Sequence, residues 1–205
     1  MKKYIGQMVE RAGSHNCSTY LGGWTKRFFD ILACSLLLLP AIVVIGLASL
    51  NTLVCEGRPV FFVHWRVGKN GRPFRLFKLR TLSPDVDPYK AASGSEKALL
   101  ATATGKLLRR YRLDELPQLF SVLTGRMSLI GPRPELPSVV ASYRPISRRR
   151  LLAKPGVTGL WQIMGDRTIP MDKGVKYDLY YLRKASLWLD IRILMMTVAF
   201  VLSQR

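Results

Sequence analysis

The chain has 205 residues, 32 Lys and Arg against 13 Asp and Glu, and a formal charge of +19 at pH 7. A hydrophobic content of 48% is too high for a disordered basic tail, and the cationic excess calls for an anionic partner: nucleic acid, a phosphorylated substrate or an anionic lipid surface. Cys17, Cys34 and Cys55 form no even framework and no Cys-x-x-Cys pair, and neither His15 nor His64 has a metal-ligand spacing, which argues against a disulfide scaffold and a zinc site.

In chain order, residues 1–23 are an amino-terminal segment. Trp24-Thr25-Lys26-Arg27-Phe28-Phe29-Asp30 then mixes aromatic and basic residues, a composition suited to the lipid headgroup level. Ile31–Cys55 carries no charge and is long enough for a membrane helix, and too long for the apolar core of a cleavable signal. Pro40 lies inside it and is expected to break it into halves of about 14 and 22 Å, neither of which crosses a hydrocarbon core of ~30 Å. Lys26 and Arg27 precede the run, and Arg58, Arg66 and Lys69 follow it, so both flanks favour the cytoplasmic side. A re-entrant helix-break-helix over 24–56 satisfies both flanks. A kinked spanning helix is the alternative.

Residues 57–205 are then expected to form a small cytoplasmic domain. Val60-Phe61-Phe62-Val63 favours a strand, Asn70-Gly71 is a hairpin signal, and Phe74–Arg80 alternates apolar and basic residues, with one face buried and the other presenting Arg75 and neighbouring cations. Ser83–Ser95 has loop composition. Glu96–Arg112 has helical spacing, with Leu99, Leu100, Leu107 and Leu108 placed for apolar contacts. Leu116–Leu123 is a second helical unit, ended by Gly125. Met127–Ile130 runs into Gly131-Pro132-Arg133-Pro134, whose prolines hold Arg133 on a rigid backbone. Pro155–Gln162 is a glycine-containing turn and a short apolar stretch, Met171–Arg183 is helical, and Leu187–Leu202 is a core or interfacial helix. The expected class is α+β, mostly helical, with a short β-hairpin and interfacial amphipathic helices.

The feature that points to chemistry is Asp114-Glu115, adjacent acids flanked by Arg109, Arg110 and Arg112. Acids in a cationic setting are expected to have depressed pKa values and to stay ionised, where a carboxylate can attack a bound phosphate or ligate its metal. The alternative is a helix start, with Asp114 as its cap.

These pieces resemble, in order and across about residues 24–202, the bacterial sugar transferases, the monotopic polyprenyl-phosphate phosphoglycosyl transferases. They are Lys26-Arg27-Phe28-Phe29-Asp30, Pro40, Arg66–Gly71, Phe77-Lys78-Leu79-Arg80-Thr81, Leu113–Leu119, Met127–Pro134, Pro155–Gln162 and Asp178-Leu179-Tyr180-Tyr181. The resemblance implies transfer of a phosphosugar from a UDP-sugar to undecaprenyl phosphate on the cytoplasmic face of the inner membrane, with release of UMP. It implies Asp114 as nucleophile, Glu115 as acid/base or metal partner, and Mg2+ bridging the diphosphate and both carboxylates. It assigns substrate contacts to Arg109, Arg133, Lys78, Arg80, Pro132, Pro134, Gln162 and Arg167.

Two positions depart from the family pattern. Leu39 stands where a small polar residue usually precedes the proline, and Asp166 follows Gly165, with Arg167 one place beyond the usual arginine. The chain resembles the minimal catalytic form, with anionic phospholipid and downstream glycosyltransferases as further partners. The competing reading is a membrane-anchored basic protein that binds nucleic acid or acts as a non-catalytic scaffold. It rests on charge alone, no nucleic-acid-binding motif appears, and nucleic acid is not expected as a partner.

Overall fold

A charge-free run can satisfy its backbone in lipid only through its own hydrogen bonds, and the sequence from Trp24 onward does so as a helix. In the computed structural model, which describes residues 17–83, 86, 100–164 and 171–203, α1 spans Trp24–Glu56, 33 residues or about 50 Å. Pro40 lies inside this one helix, so the two separate halves expected from the sequence are not distinct elements. A single proline removes one hydrogen bond, and the turns on either side can hold the helix together.

α1 buries one side and exposes the other. Lys26, Asp30, Cys34, Ala41 and Thr52 are buried, whereas Phe28, Leu32, Leu36, Leu39, Val43, Leu47, Leu50 and Val54 form an exposed apolar stripe at helical spacing. Of the two cysteines on α1, Cys34 is buried and fills the core, whereas Cys55 is exposed. Both ends of α1 touch the rest of the protein. Near its start Arg27 donates to the carbonyls of Val122 and Leu123 at 2.7 Å each, and near its end Asn51 donates to Thr104 Oγ1 at 2.9 Å.

The expected hairpin is present. β1 (Phe61–Val67) pairs antiparallel with β2 (Pro73–Leu79), from Phe61 opposite Leu79 to Val67 opposite Pro73. Asn70 and Gly71 have φ of 56° and 77°, within a connection over 68–72 that is longer than a two-residue turn. His64, Phe74 and Leu76 face inward with Lys78. The outer face is aromatic rather than a solvated row of cations: Phe61, Val63, Trp65 and Phe77 are exposed, and the Arg75 guanidinium lies 5.4 Å from the Trp65 ring centre. Lys78 is therefore turned toward the interior, not toward solvent.

α2 is Ala103–Arg110, shorter than the helical spacing suggested, because the chain at Ala101 bridges to Leu82 and Thr102 caps the helix. Of the leucines named there, Leu108 is buried and Leu100 and Leu107 are exposed; Leu99 and most of Ser83–Ser95 lie outside the described residues. A 3-10 turn, Leu113–Gln118, leads into α3 (Leu119–Leu123), which ends before Gly125. β3 (Ser128–Ile130) pairs in parallel with β4 (Gly156–Thr158), joined through α4 (Pro137–Ala141) and α5 (Pro145–Arg148). A Cβ on Gly156 would fall on the Gly131 amide, so the close pairing requires glycine there. α6 (Leu160–Met164), α7 (Met171–Lys184) and α8 (Leu187–Leu202) complete the fold. Met127, Leu129, Ile130, Leu160, Tyr181 and Ile193 form the centre of the core, against which α1 packs Cys34 and Ala41.

Candidate active site

Asp114 and Glu115 occupy the first turn of the 3-10 segment, each 9% exposed. Neither is a helix cap. The residue preceding the turn, Arg112, has φ of 56°, a left-handed backbone uncommon outside glycine, and its carbonyl accepts from the Glu115 amide at 3.2 Å. The chain thus reverses sharply where the two acids enter the structure.

The cations reach the pair from distant segments. Lys78 Nζ, at the end of β2, lies 2.5 Å from Glu115 Oε1, and Arg133 Nη2 lies 3.5 Å from the same oxygen. The Asp114 carboxylate has no hydrogen bond or ion pair among the described residues. Arg109 acts on it through charge and is itself anchored by Nε donating to Thr81 Oγ1 at 2.7 Å.

This geometry separates the two acids electrostatically. Burial raises the Glu115 pKa, but Lys78 and Arg133 beside it outweigh burial and hold it well below the usual carboxylate range. For Asp114 burial dominates: despite Lys78, Arg109 and Arg133, burial and the neighbouring Glu115 charge push its pKa up to about 6. The expectation of depressed values holds for Glu115 and fails for Asp114. Cations counted along the sequence do not reveal that the nearest of them bind Glu115.

Arg133 is held by its backbone. Gly131 N–H donates to the Thr158 carbonyl and Gly156 N–H to the Pro132 carbonyl, each at 2.9 Å. Arg150 Nη2 donates to the Arg133 carbonyl at 2.9 Å, and Arg66 Nη1 to that of Pro134 at 3.3 Å. Pro132 and Pro134 thus serve as rigid flanks. Arg150 is buried, pairs with Asp178 at 2.7 Å and meets the Tyr143 hydroxyl at 2.5 Å. Sequence reading missed it because it sits in a run, Arg148-Arg149-Arg150, that looks like solvated charge. The Asp178-Leu179-Tyr180-Tyr181 motif was the available signal, and Asp178 is its partner.

His64 was also missed. Its Nδ1 accepts from Arg66 Nε at 3.2 Å, which places the proton on Nε2, and that buried N–H has no partner among the described residues. Burial and the nearby Arg66, Lys78 and Arg133 charges lower its pKa to about 3, so it is neutral.

Other expected residues lie apart from the cluster. Arg80 is buried, and its guanidinium donates to the carbonyls of Glu56 and Gly57 at 2.9 Å and Arg58 at 3.3 Å. Its charge is committed to the C-terminal end of α1, where free carbonyls favour a cation. Gln162 Nε2 donates to the Val157 carbonyl at 3.0 Å and supports β4. Arg167, with Asp166, lies outside the described residues.

A sequence profile of the bacterial sugar transferases matches residues 21–204. The chain belongs to that family. It is 40% identical over 177 residues to an uncharacterized sugar transferase, EpsL, of Bacillus subtilis, covering 86% of this chain and 87% of the relative. It is 39% identical over 184 residues to a UDP-glucose:undecaprenyl-phosphate glucose-1-phosphate transferase of Klebsiella pneumoniae, covering 84% of this chain and 39% of the relative. It is 37% identical over 192 residues to an undecaprenyl-phosphate galactose phosphotransferase of Salmonella typhimurium, covering 86% and 40%. The chain therefore spans most of the first relative and about two fifths of the other two. Within this family member, the Asp114 cluster is where the chain sets a buried carboxylate among cations.

Proposed function

We propose that this sugar transferase moves a sugar 1-phosphate from a UDP-sugar to undecaprenyl phosphate, through a covalent intermediate on Asp114, at the cytoplasmic face of the inner membrane. The observation that carries the reading is the asymmetry of the acidic pair: Glu115 is bound by two cations, while the Asp114 carboxylate is unbonded and raised in basicity. A nucleophile needs a free oxygen lone pair, and a pKa near 6 leaves it mostly ionised at neutral pH.

In the first step an Asp114 oxygen attacks the phosphorus that bears the sugar. The bond from that phosphorus to the bridging oxygen breaks, and UMP leaves with the electron pair. In the second step a phosphate oxygen of undecaprenyl phosphate attacks the same phosphorus. The bond to Asp114 breaks and the carboxylate is restored. A carboxylate meeting an anionic phosphate is repelled by several kcal/mol in a low-dielectric site, roughly as Coulomb's law requires. Lys78, Arg109 and Arg133 offset that repulsion.

Mg2+ fits this donor set as a substrate-borne ion. No group of three or more metal-binding side chains occurs among the described residues, and two carboxylates plus substrate phosphates is a usual way to hold Mg2+. Asp114 and Glu115 would hold it, and it would neutralise diphosphate charge.

Contact of both ends of α1 with the same body supports insertion from one face of the bilayer, the topology of the re-entrant reading without its two separate halves, because a spanning helix would carry one end across the bilayer. Its exposed stripe would face lipid, as would Trp188, Met195 and Val198 on α8.

The test is UMP release by the purified protein with a panel of UDP-sugars and a short polyprenyl phosphate, comparing wild type with Asp114→Asn. A labelled acyl-phosphate adduct should form on wild type alone. Undiminished turnover by the variant, or UDP in place of UMP, would overturn the mechanism.

A further inference from the structure

We propose that the cleft at the foot of α1 is a binding site for the phosphate of an anionic membrane phospholipid, separate from the Asp114 centre. The cleft has a volume of about 420 Å³ and lies between the first turn of α1, the turn after β1 and the segment before β4. Those three segments bring Arg27, Lys69 and Lys154 to its walls.

Arg27 is fixed in place by its two bonds to the end of α3. Its guanidinium and the Lys154 ammonium each lie 3.6 Å from the point where Gly125 would carry a Cβ, so the two cationic heads are close neighbours across that glycine. Lys69 and Lys154 have no ion pair among the described residues. The acid on the cleft wall, Asp30, is already used: its Oδ1 accepts from Lys26 at 3.1 Å, Ser128 Oγ at 3.0 Å and the Leu129 amide at 3.1 Å. Burial, with Arg27, Lys69 and Lys26 adding to it, lowers the Lys154 pKa, the mark of a cation crowded by others. A bound anion would relieve that crowding.

The kind of anion follows from what adjoins the cleft. Trp24 lines it and is 90% exposed, and Phe28, one turn on, is 68% exposed. The apolar stripe of α1 continues from them through Leu32 and Leu36. A ligand with a phosphate among the cations and hydrocarbon along that stripe matches both features. The cleft is lined by Lys26, Arg27, Asp30, Lys69 and Lys154 and by none of Asp114, Glu115, Lys78, Arg109 and Arg133, which favours a resident phospholipid over the polyprenyl phosphate that must reach Asp114. The proposal rests on lipid facing the α1 stripe, and not on the chemistry at Asp114.

The experiment titrates the full chain in detergent with phosphatidylglycerol and, separately, with a short polyprenyl phosphate, and reads bound lipid by native mass spectrometry. Lys69→Gln combined with Lys154→Gln should weaken phosphatidylglycerol binding about tenfold or more and leave polyprenyl phosphate binding within about twofold. A charge-matched control, Arg72→Gln with Arg75→Gln on the hairpin, should bind phosphatidylglycerol as wild type does, and so should Asp114→Asn. Unchanged phosphatidylglycerol binding, an equal loss in the control, or a loss confined to polyprenyl phosphate would each overturn the assignment. If the double variant does not fold, Lys69→Gln alone makes the same comparison, with a smaller loss expected and an unchanged affinity counting against the site.

Discussion

Two buried clusters in this protein are built from the same kinds of group, and they differ in what they leave unbonded. At the foot of α1, Lys26 donates to Asp30 Oδ1 at 3.1 Å, Asp190 Oδ2 at 2.7 Å and the Ile130 carbonyl at 3.2 Å. Asp190 accepts further bonds from Tyr20 at 3.0 Å and Tyr181 at 2.7 Å. All three ammonium protons and both Asp190 oxygens are engaged, so this cluster ties α1, β3, α7 and α8 together and has nothing left to offer a substrate. In the second cluster Lys78 and Arg133 both serve Glu115, and Asp114 stays unbonded. A satisfied buried ion network specifies structure, whereas a buried carboxylate left without a partner is unfavourable for folding and available for reaction.

The sharpest way to break this contrast is to neutralise one acid from each cluster. Asp114→Asn should lower turnover by about 10³-fold or more, as loss of a covalent nucleophile does. The same change should make the protein more stable at pH 7.5. The folded pKa of Asp114 is raised above its unfolded value, so its contribution favours folding at low pH and is lost as pH rises through about 6. Removing the ionisable group should recover about 3 kcal/mol and raise the melting temperature by roughly 6–12 °C in detergent. Asp190→Asn should do the opposite: burial raises the Asp190 pKa too, but its carboxylate, unlike that of Asp114, accepts from Lys26, Tyr20 and Tyr181, and losing it leaves the buried Lys26 ammonium without its closest partner, at a cost of about 3 kcal/mol. If thermal melts moved in the same direction for both variants, the distinction would fail.

The next largest effect concerns pH. Wild-type turnover should fall about tenfold from its plateau by pH 5, following protonation of Asp114 near pH 6. Lys78 lowers the pKa of both acids, so Lys78→Met should move that acidic limb upward by about one unit as well as slowing the reaction. A pH–rate profile with an unmoved limb would show that Lys78 does not act on the nucleophile.

Arg80→Gln should give the smallest change in activity, within about threefold, with a stability loss of about 1–2 kcal/mol from the uncapped end of α1. A large loss of turnover without a change in melting temperature would return Arg80 to the substrate.

Much of the fold was legible because it depends on local pattern. Leu187–Leu202 appeared with the same bounds as the helix, and the Asn-Gly signal marked the hairpin. The Pro40 break was over-read, since a proline removes one hydrogen bond and the surrounding helix persists. Lys78 and Arg80 illustrate a different limit. Two apart in sequence, they would share a face if the strand continued, but β2 stops at Leu79 and Arg80 turns to α1. Arg150 escaped notice because its partners, Asp178 and the Arg133 carbonyl, are far along the chain.

The amino-acid order alone determined the family, the apolar helix, the hairpin and the acidic pair, since each is written in adjacent residues or in motifs of fixed spacing. Only the tertiary structure decided which of the two acids is bound and which is free, because that depends on where side chains 18 and 37 positions from Glu115 come to rest. Charge counted along a chain adds up, but charge in a folded site acts through distance and burial, and both are set when β2 and the Arg133 loop close over the turn.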